Sequence, residues 1–378
     1  MPRCIAPSPV VIQLKPAMRD RLPSRIILVR HGRSSFNDQG RYQGSSDEAI
    51  LTAKGLETAQ QVGDYLSKTA IDAVYTSPLL RAKQTTQEIL KAMTDRRLKP
   101  ITVSQELREI DLSVWEGLTY EYVRQQQQDS YACWQQRPHK FKLQTTDGEH
   151  FPVNDLYQRA QKFWAQQLPH YAGKTVLIIS HGGTNHALIS TALGFSPKHH
   201  HSLQQSNCGV SVLEFSGYGV QLVQLNQTTA IREILPKLKA GKQGLRLLLL
   251  PEESLTSTDC KQLAHRLSSI DLNFGLAAAA GQKWLSPLLQ QHPQATRFGA
   301  ENADFLPDWQ QTLVASLDTE QGLMTGVAIA PTTAIQTLLI QTLGGRPYES
   351  TKISLKPGHL SVIHYPNNHR PVVQAINI

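Results

Sequence analysis

The sequence contains no apolar run long enough to cross a lipid bilayer as a helix, which takes about 20 residues. Residues 247–250 form an aliphatic run of strand length only. The apolar patch at residues 10–12 is too short for the core of a signal peptide. These absences exclude a membrane-spanning protein, and we expect no membrane partner.

Cysteine is also scarce in this chain. The sequence has four cysteines that lie far apart and form no Cys-x-x-Cys pair, namely Cys4, Cys133, Cys208 and Cys260. This spacing argues against a disulfide framework. We therefore expect reduced thiols and a cytoplasmic location.

Acidic residues are outnumbered by basic ones, at 30 against 38, which gives a formal net charge of +8. A basic balance can indicate nucleic acid, anionic lipid or small anionic substrates as partners. The sequence has neither a run of basic residues nor a stripe of alternating aromatic and basic residues. We therefore expect no nucleic-acid partner and favour a small anionic ligand.

The first 24 residues contain one acidic residue, Asp20, and five prolines. Their composition predicts a disordered extension over residues 1–23. Met18 lies shortly before the first predicted strand, so a start at Met18 is an alternative to a start at Met1.

Two strongly apolar segments each lead into a histidine. Residues 26–29 are all aliphatic and precede His31, and residues 175–180 are mostly aliphatic and precede His181. Segments that are apolar on both faces are typical of buried parallel strands. Because open parallel sheets bind ligands at the carboxyl ends of their strands, both histidines are expected at one ligand-binding edge.

Strands and helices alternate along this half of the chain. A strand at residues 71–76 precedes a helix opened by Pro78, with Arg81 on its first turn, and a short strand at residues 101–103 leads to Glu109. The pattern predicts a mostly parallel sheet with Arg81 at the same edge as the histidines. Further elements are predicted as helices at 56–66, 156–168 and 184–193 and as a hairpin of 210–215 with 220–225.

Two arginines and two histidines at one edge suit phosphoryl transfer. Arg30 and Arg81 would hold a phosphoryl dianion. One neutral imidazole would attack phosphorus, and the second, protonated, would stabilise the equatorial oxygens. Glu109 is the natural proton donor for the leaving alkoxide. Two rival carboxylates lie in the same loop, Asp111 and Glu116.

These residues resemble the histidine phosphatase (phosphoglycerate mutase-like) superfamily over residues 24–228. The motifs that carry the resemblance are Arg30-His31-Gly32, Asn37, Leu51-Thr52 with Gly55, Ser77-Pro78 with Arg81, Leu107 with Glu109, and Ser180-His181-Gly182. The resemblance implies a three-layer α/β/α fold with a mostly parallel central sheet. It also implies an enzyme that needs no metal and no other cofactor.

Carried over residue by residue, the resemblance implies that His31 is phosphorylated and that Glu109 donates a proton. The implied phosphate pocket consists of Arg30, Arg81, His181, the Asn37 side chain and the Gly182 backbone. The predicted substrate rim consists of Arg33, Ser34, Gln43 and Gly44. Arg33 departs from the usual family pattern, and it either favours a polyanionic substrate or faces solvent.

Several further stretches resemble the plant 2-carboxy-D-arabinitol 1-phosphatases, and they include residues 41–47, 151–153 and 203–213. The resemblance implies a small phosphorylated metabolite as partner, with 2-carboxy-D-arabinitol 1-phosphate as candidate substrate, and a photosynthetic source. The alternatives are a phosphoserine phosphatase, a phosphoglycerate mutase and a metabolite-binding regulator. Residues 120–142 lack the Arg-Arg-Ser and proline pattern of the mutases, which favours hydrolysis.

Residues 244–378 repeat the organisation of the first half in weaker form. Pro251 and Pro331 stand where His31 and His181 would be expected. We therefore predict a catalytic domain at 24–230, a linker at 231–243 and a smaller, non-catalytic domain of the same fold at 244–378. An unrelated α/β domain is the alternative, and a homodimer is considered as an assembly.

Three consecutive histidines occupy positions 199–201. Consecutive side chains point in different directions and make a poor tetrahedral metal site. We expect them in a solvated loop near the pocket rim.

Overall fold

A computed structural model describes residues 23–93, 100–146, 148–299 and 322–378. The chain divides into two compact units. The first unit extends to His200 and includes Val212–Leu222, and the second unit comprises His201–Ser211 and Val223–Ile378. The predicted extension at residues 1–23 lies outside the described residues except for its last residue, as does the alternative start at Met18.

In the part of the chain that the structure describes, the strands of the first half form one six-stranded sheet and a separate two-stranded hairpin. In chain order they are β1 (Ser24–Arg30), β2 (Ala73–Thr76), β3 (Ile101–Val103), β4 (Leu143–Thr145), β5 (Gly148–His150), β6 (Thr175–Ser180), β7 (Val210–Ser216) and β8 (Gly219–Gln227). The sheet order is β3-β2-β6-β1-β7-β8, and β4 pairs with β5. The pairs β1–β6, β2–β6 and β2–β3 are parallel. The predicted α/β fold with mostly parallel strands is confirmed.

Helices connect these strands. They are α1 (Ser35–Asp38), α2 (Ala53–Leu66), α3 (Leu80–Ala92), α4 (Tyr120–Gln126), α5 (Gln128–Gln136), α6 (Pro152–Gln167) and α7 (Gly182–Leu193). Helix α2 begins where the Thr52 hydroxyl accepts a hydrogen bond from the Gly55 amide at 3.1 Å. Helix α7 ends at Gly194, whose φ of 77° is the left-handed conformation that suits glycine. Among the described residues, no helix has both the length and the apolar character needed to cross a membrane.

The strands β1 and β6 form the centre of the first sheet, and their aliphatic side chains are buried on both faces. Residues 26–29 of β1 are at most 2% exposed. Parallel pairing places Arg30 opposite Ser180, so the next residue of each strand is a histidine. The His31 amide donates to the Ser180 carbonyl at 2.8 Å, which keeps the two segments paired just beyond the ends of β1 and β6.

The second unit contains another six-stranded sheet within the described ranges. Its strands are β9 (Gly244–Pro251), β10 (Phe274–Ala277), β11 (Thr296–Gly299), β12 (Leu323–Ala330), β13 (Ser361–Tyr365) and β14 (Val372–Ala375), and its helices are α8 (Ser257–Leu267), α9 (Gln282–Leu288) and α10 (Thr332–Thr342). The sheet order is β11-β10-β12-β9-β13-β14. With β4 and β5 set aside, both sheets therefore follow the order 3-2-4-1-5-6 when strands are counted along the chain.

Within the second unit, residues before and after the predicted linker pair with each other. Leu225 and Ile376 each donate an amide to the carbonyl of the other at 3.1 Å, and Gln204 donates its amide to the Val373 carbonyl at 3.0 Å. In the predicted linker, Leu235 joins the hydrophobic core of this unit. The compact units therefore divide the chain at other residues than the predicted domains do.

Two asparagines in this unit make reciprocal contacts. Asn226 and Asn377 both have positive φ, at 52° and 57°. The Asn226 amide group donates to the Gln374 carbonyl at 2.8 Å, and the Asn377 amide group donates to the Val223 carbonyl at 2.7 Å. Each asparagine therefore contacts the residue three positions before the other, which gives this region a local twofold character.

Candidate active site

His31 and His181 lie side by side at the carboxyl edge of the first sheet. Both are at most 2% exposed, and their ring centroids are 5.1 Å apart at an interplanar angle of 58°. The parallel register of β1 and β6 produces this arrangement, because each histidine directly follows its strand. The two predicted histidines are therefore brought together.

The orientation of the His31 ring is set by a neighbouring carbonyl. Its Nδ1 lies 2.7 Å from the Gly32 carbonyl oxygen. A carbonyl only accepts hydrogen bonds, so Nδ1 carries the proton and the neutral ring keeps a lone pair on Nε2. The Gly32 amide in turn donates to Thr85 Oγ1 at 2.9 Å, which ties this turn to α3. A fixed imidazole with a lone pair on Nε2 is suited to nucleophilic attack.

Arg81 lies on the first turn of α3 and is completely buried. Its guanidinium donates to the Ser46 carbonyl at 2.7 Å and to the Gly44 carbonyl at 2.8 Å. Burial lowers the pKa of Arg81 to about 10, so the side chain remains cationic at neutral pH. Arg81 therefore supplies a fixed positive charge.

The loop of residues 43–47, which holds Arg81, is itself held by Glu116. The Glu116 carboxylate accepts hydrogen bonds from the Ser45 amide at 2.5 Å and from the Ser45 hydroxyl at 3.1 Å. Arg108 also donates to the Ser45 carbonyl at 3.0 Å. The structure thus gives this rival carboxylate a contact to the arginine-holding loop.

Glu109 has different surroundings. Its carboxylate accepts hydrogen bonds from the Gly183 amide at 3.1 Å and from the Thr184 amide at 3.0 Å, both in the first turn of α7. The Thr184 hydroxyl lies 3.1 Å from the same carboxylate and 2.9 Å from the Arg108 carbonyl, and among the described residues these are the two acceptors within reach of its proton. Asp111, the other rival, accepts from the Ser113 amide in its own loop at 3.0 Å. Of the three carboxylates, only Glu109 contacts the helix that begins directly after His181.

Burial and nearby cations disfavour the protonated form of His181. The pKa of His181 is held well below its ordinary value, first by burial and then by the charges of Arg81, His31 and Arg30. The sequence predicts a protonated second imidazole. The structure disfavours the protonated form of His181 at neutral pH. His181 Nε2 lies 2.6 Å from Ser77 Oγ.

Arg30, Asn37 and Gly182 complete the predicted phosphate pocket. A Cβ atom at Gly182 would lie 3.5 Å from Arg30 Nε, so the guanidinium lies against this stretch of backbone. Asn37 Oδ1 accepts from the Ser34 amide at 3.2 Å, while its side chain also bonds to Tyr120. Because the amide oxygen is used in capping α1, the Asn37 NH₂ group is the part suited to bind an anion.

The four residues predicted for the substrate rim have different positions. Arg33 is about half exposed and pairs with Asp38. Ser34 is fully buried, caps α1 and donates to Gln43 Oε1 at 2.7 Å. Gly44 is buried and contributes its carbonyl to Arg81.

The expectation of a solvated loop at residues 199–201 is wrong for the central histidine. His200 is 2% exposed and lies in a short 3₁₀ helix, Pro197–Ser202. Its ring packs against the rings of His186, Tyr157 and Trp134 at centroid distances of 5.3, 5.7 and 6.1 Å. The aromatic residues of α5 and α6 enclose this ring, and the sequence pattern gave no sign of that contact.

A comparison with protein families is consistent with this geometry. The family model described as Histidine phosphatase superfamily (branch 1) matches residues 26–228, which is more than half of the chain. The chain belongs to the histidine phosphatase superfamily. The matched segment contains every residue of the site described above.

Named relatives of this histidine phosphatase include enzymes with different substrates. The 2-carboxy-D-arabinitol-1-phosphatase of Triticum aestivum is 37% identical over 240 residues, which cover 62% of this chain and 46% of the wheat protein. Phosphoserine phosphatase 1 of Hydrogenobacter thermophilus is 30% identical over 211 residues, which cover 55% of this chain and 95% of that protein. The chain thus spans about half the length of the wheat relative. Among solved structures, a phosphoserine phosphatase of Entamoeba histolytica matches with 25% identity and a TM-score of 0.48, covering 55% of this chain and 99% of that one.

Some residues of this histidine phosphatase site were not predicted as site residues. Thr184 and Gly183 bind the Glu109 carboxylate, Ser77 contacts His181, and Tyr120 contacts Asn37. Ser77 directly follows β2, which pairs with β6, so the strand order could have placed this residue beside His181. The contact of Tyr120 depends on the irregular loop before α4, for which the sequence offers no periodic signal.

Proposed function

We propose that this chain is a phosphoric monoester hydrolase that acts on a small phosphorylated metabolite through a phosphohistidine at His31. The observation that carries the proposal is the hydrogen bond from His31 Nδ1–H to the Gly32 carbonyl at 2.7 Å, which leaves a lone pair on Nε2 of the neutral ring. The buried cation Arg81 and the adjacent Arg30 supply positive charge for the phosphoryl oxygens.

In the first step, the lone pair of His31 Nε2 forms a bond to phosphorus. The P–O ester bond breaks, and its electron pair leaves with the substrate oxygen. Glu109, in its acid form, gives its proton to that oxygen, so an alcohol departs. The phosphorylated imidazole carries a positive charge, which the bond from Nδ1–H to the Gly32 carbonyl stabilises.

In the second step, water attacks phosphorus and gives a proton to the Glu109 carboxylate. The P–N bond breaks, its electron pair returns to Nε2, and inorganic phosphate leaves. The hydrogen bonds from the Gly183 and Thr184 amides hold the Glu109 carboxylate at the start of α7, next to His181. No metal ion or other cofactor is part of this proposal.

We propose a sugar-acid phosphate as the substrate class, with 2-carboxy-D-arabinitol 1-phosphate as the first compound to test. The likeness to the wheat phosphatase at 37% identity supports this choice. Phosphoserine is the second candidate, because the likeness to the Hydrogenobacter enzyme extends over 95% of that protein.

We further propose that residues 244–378 are a non-catalytic copy of the first domain. The shared strand order supports this proposal. At the edge that corresponds to the active site, β9 ends at Pro251 and is followed by Glu252 and Glu253, and Pro331 follows β12. The Glu253 carboxylate accepts hydrogen bonds from the amide at the start of α10 at 2.9 Å and from the hydroxyl of the same residue at 2.6 Å. A carboxylate of the chain thus takes the donors that a bound phosphate would need.

The test is a hydrolysis screen of the full chain with chelator present. The panel contains 2-carboxy-D-arabinitol 1-phosphate, phosphoserine, sugar bisphosphates and 3-phosphoglycerate. We expect phosphate release in the parent and a loss of at least about 10⁴-fold in His31→Ala, because the nucleophile is gone. His170→Ala, which alters an exposed histidine, is the matched control and should retain activity.

A second readout identifies the intermediate. Rapid quenching with labelled substrate should give phosphate bound to the protein that is stable in alkali and labile in acid, and this label should be absent from His31→Ala. Undiminished hydrolysis in His31→Ala contradicts the mechanism. Phosphate exchange between glycerate positions without release indicates a mutase, and binding without either reaction indicates a regulator.

A further inference from the structure

The contacts of the Ser77 hydroxyl restrict where its proton can go. Ser77 is completely buried. Within the described part of the chain, its Oγ contacts the Leu79 amide at 3.3 Å and His181 Nε2 at 2.6 Å. An amide N–H only donates, so the contact to Leu79 uses a lone pair of the oxygen. The hydroxyl proton then has His181 Nε2 as its acceptor.

This assignment fixes the state of the His181 ring. If Nε2 accepts a proton from Ser77, it carries no proton of its own. A neutral imidazole with an unprotonated Nε2 must carry its proton on Nδ1. Burial and the surrounding guanidinium cations of Arg81, Arg30 and Arg159 favour the neutral ring, which agrees with the hydrogen-bond pattern.

The second ring nitrogen is well placed to donate. His181 Nδ1 is buried, and no hydrogen-bond partner for it is found among the described residues. A buried N–H without a partner is costly, which indicates that a ligand atom completes the contact. The ring lies 5.1 Å from that of His31, where the phosphoryl group would be transferred.

We propose that Ser77 is a positioning residue that selects the neutral Nδ1–H tautomer of His181, so that His181 donates a hydrogen bond to an equatorial oxygen of the transferring phosphoryl group. This inference rests on the proposed function and adds a residue to it. In the opposite tautomer, Nδ1 would present a lone pair to the phosphoryl oxygens and repel them. Ser77 acts only through His181 and touches no reacting atom.

The tautomer can be measured without any activity assay. The full chain is labelled with ¹⁵N-histidine, and the His181 signals are identified by their absence in His181→Gln. We expect Nδ1 to show the shift of a protonated nitrogen and Nε2 that of an unprotonated one. In Ser77→Ala the two shifts should move toward each other or exchange, because the donor that selects the tautomer is gone.

Kinetics test whether the tautomer matters. We expect Ser77→Ala to lower kcat/KM about 10- to 100-fold, which is less than the cost of losing an oxyanion donor outright, and to weaken inhibition by inorganic phosphate. Ser77→Thr keeps the hydroxyl and should retain most activity, and Ser77→Cys keeps the volume with a weaker donor. Thr191→Val is the matched control, because it removes a buried hydroxyl that bonds only within α7.

Each result decides the inference. A protonated Nε2 in the parent overturns it whether or not the chain hydrolyses any substrate. A tautomer change in Ser77→Ala with unchanged phosphate affinity and unchanged kcat/KM overturns the role assigned to the tautomer. If no phosphoester in the panel is hydrolysed, the proposed function fails, and the nitrogen shifts together with inorganic phosphate binding still decide the role of Ser77.

Discussion

At the scale of single residues, the site combines buried arginine charge with a second imidazole, His181, whose protonated form is disfavoured. Arg81 remains protonated with a pKa of about 10, while burial and the neighbouring cations keep His181 neutral. The hydrogen bond from His31 Nδ1–H to the Gly32 carbonyl leaves Nε2 as the ring nitrogen available for attack. In the proposed mechanism the arginines therefore supply the charge that binds a phosphoryl dianion, and the imidazoles act as nucleophile and hydrogen-bond donor.

The two carboxylates of the site should respond differently to the leaving group. We expect Glu109→Gln to lower kcat about 10²- to 10⁴-fold for an alkyl phosphate, because the alkoxide then leaves without a proton. The loss should be much smaller for p-nitrophenyl phosphate, whose leaving group needs no proton. Glu116→Gln, which alters the contact to Ser45, should affect both substrates alike. Equal losses for both substrates in Glu109→Gln would refute the assigned role.

Buried neutral histidines make the free energy of unfolding depend on pH. The pKa values of His181 and His200 lie well below the ordinary value, chiefly through burial, while both residues titrate normally in the unfolded chain. The unfolded state therefore binds more protons below about pH 6.5 than the folded state does, and the free energy of unfolding falls as the pH is lowered further. The slope is at most about 1.4 kcal/mol per pH unit for each histidine.

The variant His200→Gln should show a shallower decline of the free energy of unfolding between pH 6.5 and 5 than the parent does. Urea unfolding at several pH values measures this slope. His170→Gln, at an exposed position, is the control and should match the parent. A slope that is unchanged in His200→Gln argues against a neutral, buried His200.

At the scale of secondary-structure elements, α2 is fastened to the loop that follows β1. The Arg33 carbonyl accepts from the Thr52 amide at 2.9 Å and from the Thr52 hydroxyl at 3.1 Å. A Cβ atom at Gly55 would lie only 2.2 Å from the Arg33 carbonyl oxygen. The helix can approach this closely because residue 55 has no side chain.

We expect Gly55→Ala to lower the free energy of unfolding by about 1–3 kcal/mol, although alanine favours helices. It should also lower kcat/KM, because the displaced loop carries His31. Urea unfolding and phosphate release measure the two effects. Lys54→Ala, which alters an exposed neighbour on the same helix, should leave both nearly unchanged. A stabilised Gly55→Ala would contradict the close approach.

The elements of the first sheet could be predicted because their signals are local. The aliphatic run before His31 and the one before His181 are strong strand patterns, and the register β1–β6 follows once both strands are parallel neighbours. The roles of Ser77 and Glu116 could not be predicted in this way. Each depends on a contact between elements that are distant in sequence, and neither residue type indicates a partner by itself.

At the scale of the whole molecule, the shared strand order and the reciprocal contacts of Asn226 and Asn377 support the internal duplication proposed above. The sequence suggested the repeat from its apolar strands. It could not locate the asparagine contacts, because a positive φ at a non-glycine residue leaves no periodic trace. The sequence likewise carries no signal for the pairing of Leu225 with Ile376, whose residues lie on either side of the predicted linker at 231–243.

We expect Asn226→Ala and Asn377→Ala each to lower the free energy of unfolding by about 2–4 kcal/mol, because each leaves buried backbone groups unpaired and strains a left-handed residue. The double variant should lose less than the sum, since both side chains serve one contact region. Urea unfolding measures these values. Asn368→Ala is the exposed control. Strict additivity would speak against a shared contact.

The reciprocal asparagines also bear on how such a chain can evolve. The proposed duplicate, which has no phosphate site, would be free to change at its former catalytic edge, where acidic and proline residues now stand. The segment after β14 has no such freedom, since substitutions at Asn377 remove the hydrogen bond to the Val223 carbonyl of β8. Among descendants of this gene, divergence should therefore concentrate around residues 251–253 and 331, and remain lowest at the end of the chain.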